Sequence, residues 1–395
     1  MNDNGNDKNV LVSAHVLRQS FDEIDQLPSN STIDPFVLFG HLVGGVINRM
    51  LFGEPVDESE EVRFYELKRR LDAFVETMSI EQIFIKKWML SVPFINLKWK
   101  NQLAPIHEMK AQKAINDGSH SLDAEPRDYT DAFLLRMKED CKNGVKYSSF
   151  EQKAINDGSH SLDAEPRDYT DAFLLRMKED CKNGVKYSSF DNESLVVNIM
   201  DLWIAGQETT STTILWGLIY LLRNPEVVNN VRKELLKVTG GSRSLSLSDK
   251  SETPYFLATI AEIQRHASIL NMNLWRLSDT EDNIGGYHIP KNTVVSAELC
   301  LILSDETKFS SPHEFDPSRF LSEPSLLSSV IPFGIGRRAC LGESLARAEL
   351  YLIIGNLLLR YAIQSIDEKP SIDVINKFGI MKKPKPYKIK ITKIV

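Results

Sequence analysis

After Asp34-Pro35, the apolar residues Phe36, Phe39, Val43, Val46, Ile47, Met50 and Leu51 follow at helical spacing, and Gly53 ends the run. An Asp N-cap followed by Pro at the first helical position is a favourable opening, because the missing proline N–H would have no helical partner there anyway. A second helix is expected over Tyr169–Lys182, closed by Asn-Gly, with a twin over Tyr129–Lys142. The longest element starts near Ser194 and stops before Asn224-Pro225, about 45 Å at 1.5 Å per residue. Its ends are apolar, but Asn198, Asp201, Gln207, Glu208 and a cluster of Thr and Ser interrupt it. A lipid-facing helix could not hide that polar load, so the pattern predicts a buried central helix with a polar break.

Further on, Thr253-Pro254 opens a helix that carries Phe256, Leu257, Ile260, Ala261, Ile263 and Ile269. Gly285-Gly286, within Asp279–Pro290, reads as a hairpin or turn, and Asn292–Cys300 as a strand. A last helix is expected from Ser344 to Arg360, and the alternation from Tyr387 onward predicts a strand. The expected class is mainly α with a modest β component.

Residues 112–150 recur without a change at 152–190. Solenoid repeats drift in sequence and need about three copies to bury a shared core, which two identical copies do not match. The pattern reads as a recent exon duplication or a faulty gene model, with one copy surplus to the fold.

A net charge of −7 gives nothing for nucleic acid or an anionic membrane surface to attract. Cys141, Cys181, Cys300 and Cys340 form no CxxC pair, and Cys181 is a copy of Cys141, so no disulfide scaffold is expected. The first residues are polar, without a basic start leading into an apolar run, so neither a signal peptide nor a membrane anchor is expected in this chain.

The chemistry concentrates in Pro332–Gly342, where Gly334, Gly336 and Gly342 surround Cys340 just before a helix. Glycine allows turns closed to other residues and the close approach of a flat ligand. A helix N-terminus favours thiolate over thiol, and thiolate is the form that binds metal. Arg337 and Arg338 add positive charge suited to carboxylates. A lone cysteine is more often an inert buried thiol; the pattern around this one reverses that reading. Phe333, Gly336, Arg338, Cys340 and Gly342 fill all five fixed positions of F-x-x-G-x-R-x-C-x-G, so the chain resembles the cytochrome P-450 family. Three further segments match in order: Ala205-Gly206-Gln207-Glu208-Thr209-Thr210, Glu262-Ile263-Gln264-Arg265, and Phe315-Asp316-Pro317-Ser318-Arg319-Phe320. The motif style is most similar to animal microsomal members.

The resemblance implies a cytochrome P-450 fold, helix-rich with small β-sheets, over 1–395 as a single domain. It implies a haem-thiolate monooxygenase that inserts one oxygen atom from O2 into an organic substrate. The cofactor would be haem b, iron protoporphyrin IX, with Cys340 as the iron ligand. Arg338 and Arg276 would bind propionates, although Trp275 stands where many members have proline. Glu208 and Thr209 would relay protons, where the helix with Ala205 and Gly206 is expected to bulge. Glu262 and Arg265, three apart on one helical face, would form a buried structural triad with Arg319. The implied electron donor is NADPH through cytochrome P-450 reductase, with cytochrome b5 as a second partner, since no Rossmann fingerprint for the nucleotide occurs here. The implied substrate is a hydrophobic small molecule of the lipid or xenobiotic kind. The implied location is the endoplasmic reticulum membrane, or the cytosol for a chain with no anchor.

The resemblance runs from about residue 11 onward, and the chain is expected to lack the family's anchor, proline-rich hinge, first strands and several helices. A second reading therefore stands beside the enzyme: a non-catalytic truncated product or misassembled gene model of a cytochrome P-450. A haem-thiolate isomerase or dehydratase is disfavoured by the intact Glu208-Thr209 pair.

Overall fold

The computed structural model describes residues 30–53, 168–185, 188–366, 368–375 and 379–394, with positions 21, 24–26, 28 and 166. The first repeat copy, including the helix expected over Tyr129–Lys142, lies outside the described residues, as does the start of the second copy. Two compact units emerge, one of residues 1–40 with 209–395 and the other of residues 41–208.

The capping residues of the first helices act as their types dictate. Helix α1 (Pro35–Phe52) opens with Phe36 N donating to Asp34 Oδ1 at 2.9 Å and ends at Gly53, whose φ is +78°. Among the described residues α1 alone is long and apolar enough to cross a membrane, and more than half of it is buried within the protein. Helix α2 (Tyr169–Lys182) is N-capped by Asp168, which accepts from Asp171 N at 2.8 Å. The Thr170 hydroxyl donates to Leu51 O at 2.7 Å, and Trp203 Nε1 donates to Asn48 Oδ1 at 3.2 Å. Helix α3 (Asn192–Arg223) is the expected long element, begun two residues early.

In the larger unit the rest of α3 packs with α4 (Pro225–Thr239), α5 (Pro254–Ala267) and a helix that follows Gly342. A Cβ on Gly217 of α3 would stand 3.3 Å from the Ile263 side chain and 3.5 Å from that of Ile354, so both side chains pack onto the glycine. Ile219, Val231, Phe256, Ile263, Tyr351, Ile353 and Leu357 fill the core between them.

The β structure is small and antiparallel. Strand β1 (Ser31–Ile33) joins a three-stranded sheet described below. Strands β2 (Arg276–Leu277), β3 (Asp282–Ile284), β4 (Tyr287–Ile289) and β5 (Val294–Val295) form two ribbons, β2 with β5 and β3 with β4. The β3–β4 turn needs two successive positive φ angles, and Gly285 at +58° with Gly286 at +87° supplies them.

One expectation fails here. The strand foreseen over Asn292–Cys300 is only Val294–Val295, and the chain then enters helix α6 (Leu299–Leu303), which holds Cys300. Leu299 and Leu303, four apart, are both buried on one helical face, and Cys300 N donates to Asn271 O instead of joining a ladder. A short apolar run does not distinguish strand from helix by pattern alone.

Helix α7 (Arg319–Ser322) follows, then α8 (Glu343–Arg360), which leads directly into β6 (Tyr361–Ser365). Strand β7 (Ile389–Lys393) lies between β1 and β6, with Ile391 opposite both Ser31 and Ile363. Ile389 and Ile391 are buried, the alternation that the sequence shows. The class is mainly α with small antiparallel sheets.

Candidate active site

The Cys340 loop is built by its glycines. Gly334 at φ +70° and Gly336 at +78° occupy a region that side chains rarely adopt, and they turn the backbone so that Cys340 N donates to Phe333 O at 2.9 Å. Gly334 N also donates to Ile331 O, and Ala339 N to Gly336 O. A short 3-10 turn, Gly336–Arg338, precedes the cysteine, and α8 opens three residues after it with Ala346 N donating to Gly342 O. Cys340 is exposed and stands just ahead of the free N–H groups of that helix.

Two contacts hold the loop. The Arg347 guanidinium lies 4.9 Å from the centre of the Phe333 ring and pairs with Glu343 at 2.8 Å, which ties Phe333 to the first turns of α8. On the other side, a Cβ on Gly334 would stand 3.4 Å from Asn273 Oδ1, and Asn273 is fixed in turn by Ala297 and Ser296. This places the segment of Arg276 beside the loop. Arg276 Nη2 is 3.5 Å from Arg338 O, at the outer edge of hydrogen-bond reach.

These residues suit haem in three respects. A soft thiol stands at the loop, backbone at Gly336 and Gly342 has no heavy atom within 4 Å of a would-be Cβ, and Leu274, Leu277, Ile335 and Leu341 expose apolar surface. Leu341, beside the cysteine, is 88% exposed. Arg276 and Arg338 offer cations for anionic arms. The donor set fits a flat apolar group with a thiolate-bound metal and carboxylates.

Glu262, Arg265 and Arg319 come together as a buried cluster. Arg265 donates to both Glu262 oxygens, at 2.8 and 2.9 Å, and Arg319 Nε donates to Oε1 at 3.1 Å. The guanidinium groups then spend their remaining donors on carbonyls: Arg265 on Leu303 O, Arg319 on Ser310, Ser311, Glu314 and Asp316 O. Asp316 N also donates to Glu262 Oε1 at 2.9 Å. Burial alone would raise the Glu262 carboxyl, but the hydrogen bonds and charges of Arg265 and His266 outweigh it and hold the group at about 2.

The polar stretch of α3 differs from expectation in one respect. Residues 205–210 form unbroken α-helix, with no bulge, and the Thr213 hydroxyl donates back to Thr209 O at 2.8 Å. Gly206 serves packing instead: a Cβ there would come 2.6 Å from Ile47 Cδ1 of α1. Gln207, Glu208 and Thr210 are buried and Thr209 is half-buried. Glu208 therefore does not solvate an outer face.

Among the other cysteines Cys181 is exposed and Cys300 half-buried, and no glycine-shaped loop surrounds either. Cys141 lies outside the described residues. Sequence reasoning missed Glu349, which is fully buried in α8. The available signal was one acidic residue at the head of the apolar run 350–354.

A model of the cytochrome P450 family matches residues 8–391. The chain is 38% identical over 369 residues to human cytochrome P450 2U1, covering 91% of this chain and 60% of that protein. It is 34% identical over 358 residues to the probable cytochrome P450 cyp-35D1 of Caenorhabditis elegans, covering 88% and 63%. With mouse cytochrome P450 2J5 the identity is 36% over 396 residues, covering 97% and 68%. The chain thus spans under two thirds of the length of the first two of these relatives. On the match over nearly all of its residues, and on the loop that carries Cys340, the chain belongs to the cytochrome P450 family.

Proposed function

We propose that this chain carries the chemistry of a haem-thiolate monooxygenase acting on a hydrophobic small molecule, with haem b as its cofactor. The observation that carries the reading is the Cys340 loop: an exposed thiol on a glycine-turned segment, at the mouth of a helix, ringed by apolar side chains and two arginines. Cys340 would hold the iron, with Phe333, Gly336 and Gly342 shaping the loop and Arg338 and Arg276 binding propionates. When bound, haem with a thiolate ligand supplies O–O cleavage and oxygen insertion. The chain's own part is to bind and orient that group, exclude water and handle protons.

Glu208 and Thr209 would hold and pass those protons as general acids on α3, with Ala205 and Gly206 on the preceding turn. Glu262, Arg265 and Arg319 act at a distance, gathering four carbonyls of the segment before α7 and the carbonyl that ends α6. Electrons would come from NADPH through cytochrome P-450 reductase, with cytochrome b5 as a further partner and O2 as co-substrate. Similarity to the animal relatives supports the endoplasmic reticulum membrane as the location, and the substrates would be lipids or foreign compounds. Residues 1–395 are read as one catalytic domain. The perfect duplication of 112–150 as 152–190 favours a second reading, a non-catalytic product of a disturbed gene.

The test is spectroscopic. Reduced, haem-loaded protein under carbon monoxide is expected to show the red-shifted Soret band of a thiolate ligand, and Cys340→Ser to lose it. Persistence of the band in that variant, or its loss in Cys300→Ser alone, refutes the assignment. Failure of the chain to bind haem supports the non-catalytic reading.

A further inference from the structure

Glu349 has no place in the chemistry above, yet it sits at 0% exposure in α8. Neither of its carboxyl oxygens has a hydrogen-bond partner of ordinary length. Burial pushes the carboxyl up to about 8, and the Thr210 hydroxyl of α3 is the one side chain that acts against this rise. Charged groups on the elements around α8 are engaged elsewhere. Arg232 of α4 donates to Leu358 O and Tyr361 O, and Glu234 accepts from Tyr255 N and Phe256 N. Asp249, in the 3-10 turn Leu247–Glu252, is paired with Arg243, and Lys250 lies over the Tyr351 ring. Glu262 of α5 is held by its arginines and by His266, and Arg360, where α8 meets β6, is paired with Asp25. None of them acts on Glu349.

A buried acid without a bonded partner costs stability where an apolar residue would not, so packing does not account for it. Its surroundings point to a mechanical role. The Cys340 backbone is tied to α8 through Phe333 and Arg347, so a shift of α8 along α3 carries the loop with it. The two helices meet closely at Gly217 and Ile354. We propose that Glu349 is a positioning residue for the Cys340 loop: its carboxyl, facing the Thr210 hydroxyl, sets the register of α8 against the polar stretch of α3. Loss of its proton leaves an unpaired charge in the core and loosens that register. The part concerning Cys340 rests on the haem-thiolate reading; the state of the carboxyl does not.

The sign of the pH effect follows from the direction of the shift. The folded protein keeps the Glu349 proton to about 8, while an ordinary Glu releases it at 4.5. The stabilisation is complete below that lower value and is lost as pH rises through the window.

Two measurements separate the claims. In the 395-residue chain without cofactor, infrared titration should show a protonated carboxyl band that disappears near pH 8 and is absent from Glu349→Gln. Thr210→Val should move the midpoint upward, and Thr210→Ser should leave it in place. Absence of such a band, or a midpoint that Thr210→Val does not move, overturns the proposal, and the Thr210 variants decide it even if Glu349→Gln does not fold. In haem-loaded protein under reducing conditions and carbon monoxide, the thiolate Soret band should fade above that midpoint in the unmodified protein and persist in Glu349→Gln. The same pH course in both proteins overturns the positioning role. A chain that titrates as expected but binds no haem refutes the haem reading and the positioning role with it, and leaves only the buried acid.

Discussion

Arg319 reaches Glu262 across fifty-seven residues of chain, Nε to Oε1 at 3.1 Å, at a point where both side chains are buried. The pair is one edge of a network in which a single carboxylate neutralises two guanidinium groups. Such an arrangement tolerates the loss of its one anion poorly, because two cations would then stay buried without charge compensation.

Glu262→Gln is expected to destabilise the protein by about 3–5 kcal/mol at neutral pH, the usual cost of breaking a buried pair from one side. The pH dependence has a definite sign. With its carboxyl held at about 2 against 4.5 unfolded, Glu262 contributes stability that is present above pH 4.5 and is lost as pH falls toward 2. Denaturant unfolding at pH 7 and pH 3 should therefore show the gap between unmodified and Glu262→Gln protein narrowing at the lower value. An equal gap at both would show that the carboxyl is not held low.

Glycine substitutions should rank by the space around them. In Gly355→Ala the new methyl would meet Leu245 at 2.4 Å and the Phe256 ring at 2.8 Å, so about 1–3 kcal/mol of overpacking is expected. Gly206→Ala meets only the flexible end of Ile47 at 2.6 Å and should cost less. Adding Ile47→Val, which removes that terminal methyl, should recover part of the loss. Thermal melts of the four proteins check the order.

Arg337 is exposed on the face of the Cys340 loop and suits docking by an acidic flavoprotein. Arg337→Glu is expected to slow reduction of haem-loaded protein, and added salt to slow the unmodified protein, since such steering is screened by ions. Stopped-flow reduction rates that ignore both changes would place the docking face elsewhere.

The duplicated segment is expected to add no second functional unit. Deleting residues 112–151 should leave soluble yield and melting temperature unchanged or improved, because the copy over 152–190 retains helix α2 and its link into α3. A large loss of soluble protein would show that both copies are structural.

The parts legible in the sequence were those in which local chemistry dictates conformation. Asp34-Pro35, Asn183-Gly184 and Gly285-Gly286 marked their helix ends and hairpin because caps and tight turns require those residue types. Glu262 and Arg265 were paired by spacing alone, while Arg319 was reached only through the resemblance, since its contact joins distant segments. Cys300 was misplaced because its short apolar surroundings suit a strand and a helix equally. The bulge foreseen in α3 is absent: Gly206 packs on Ile47, a contact that pattern cannot reveal. Glu349 left only a faint mark, one acid at the head of an apolar run, as its burial depends on which helix lies across from it.

Strand β7 has neighbours on both sides, β1 from residues 31–33 and β6 from residues 361–365, so it is the centre of its sheet and not an edge. On the ribosome, residues 31–33 and 361–365 must therefore wait, with their ladder groups unpaired, until residues 389–393 leave the exit tunnel. The sheet closes only after its central strand is made, and a nonsense codon before residue 389 would leave two exposed strand edges open to pairing with other chains.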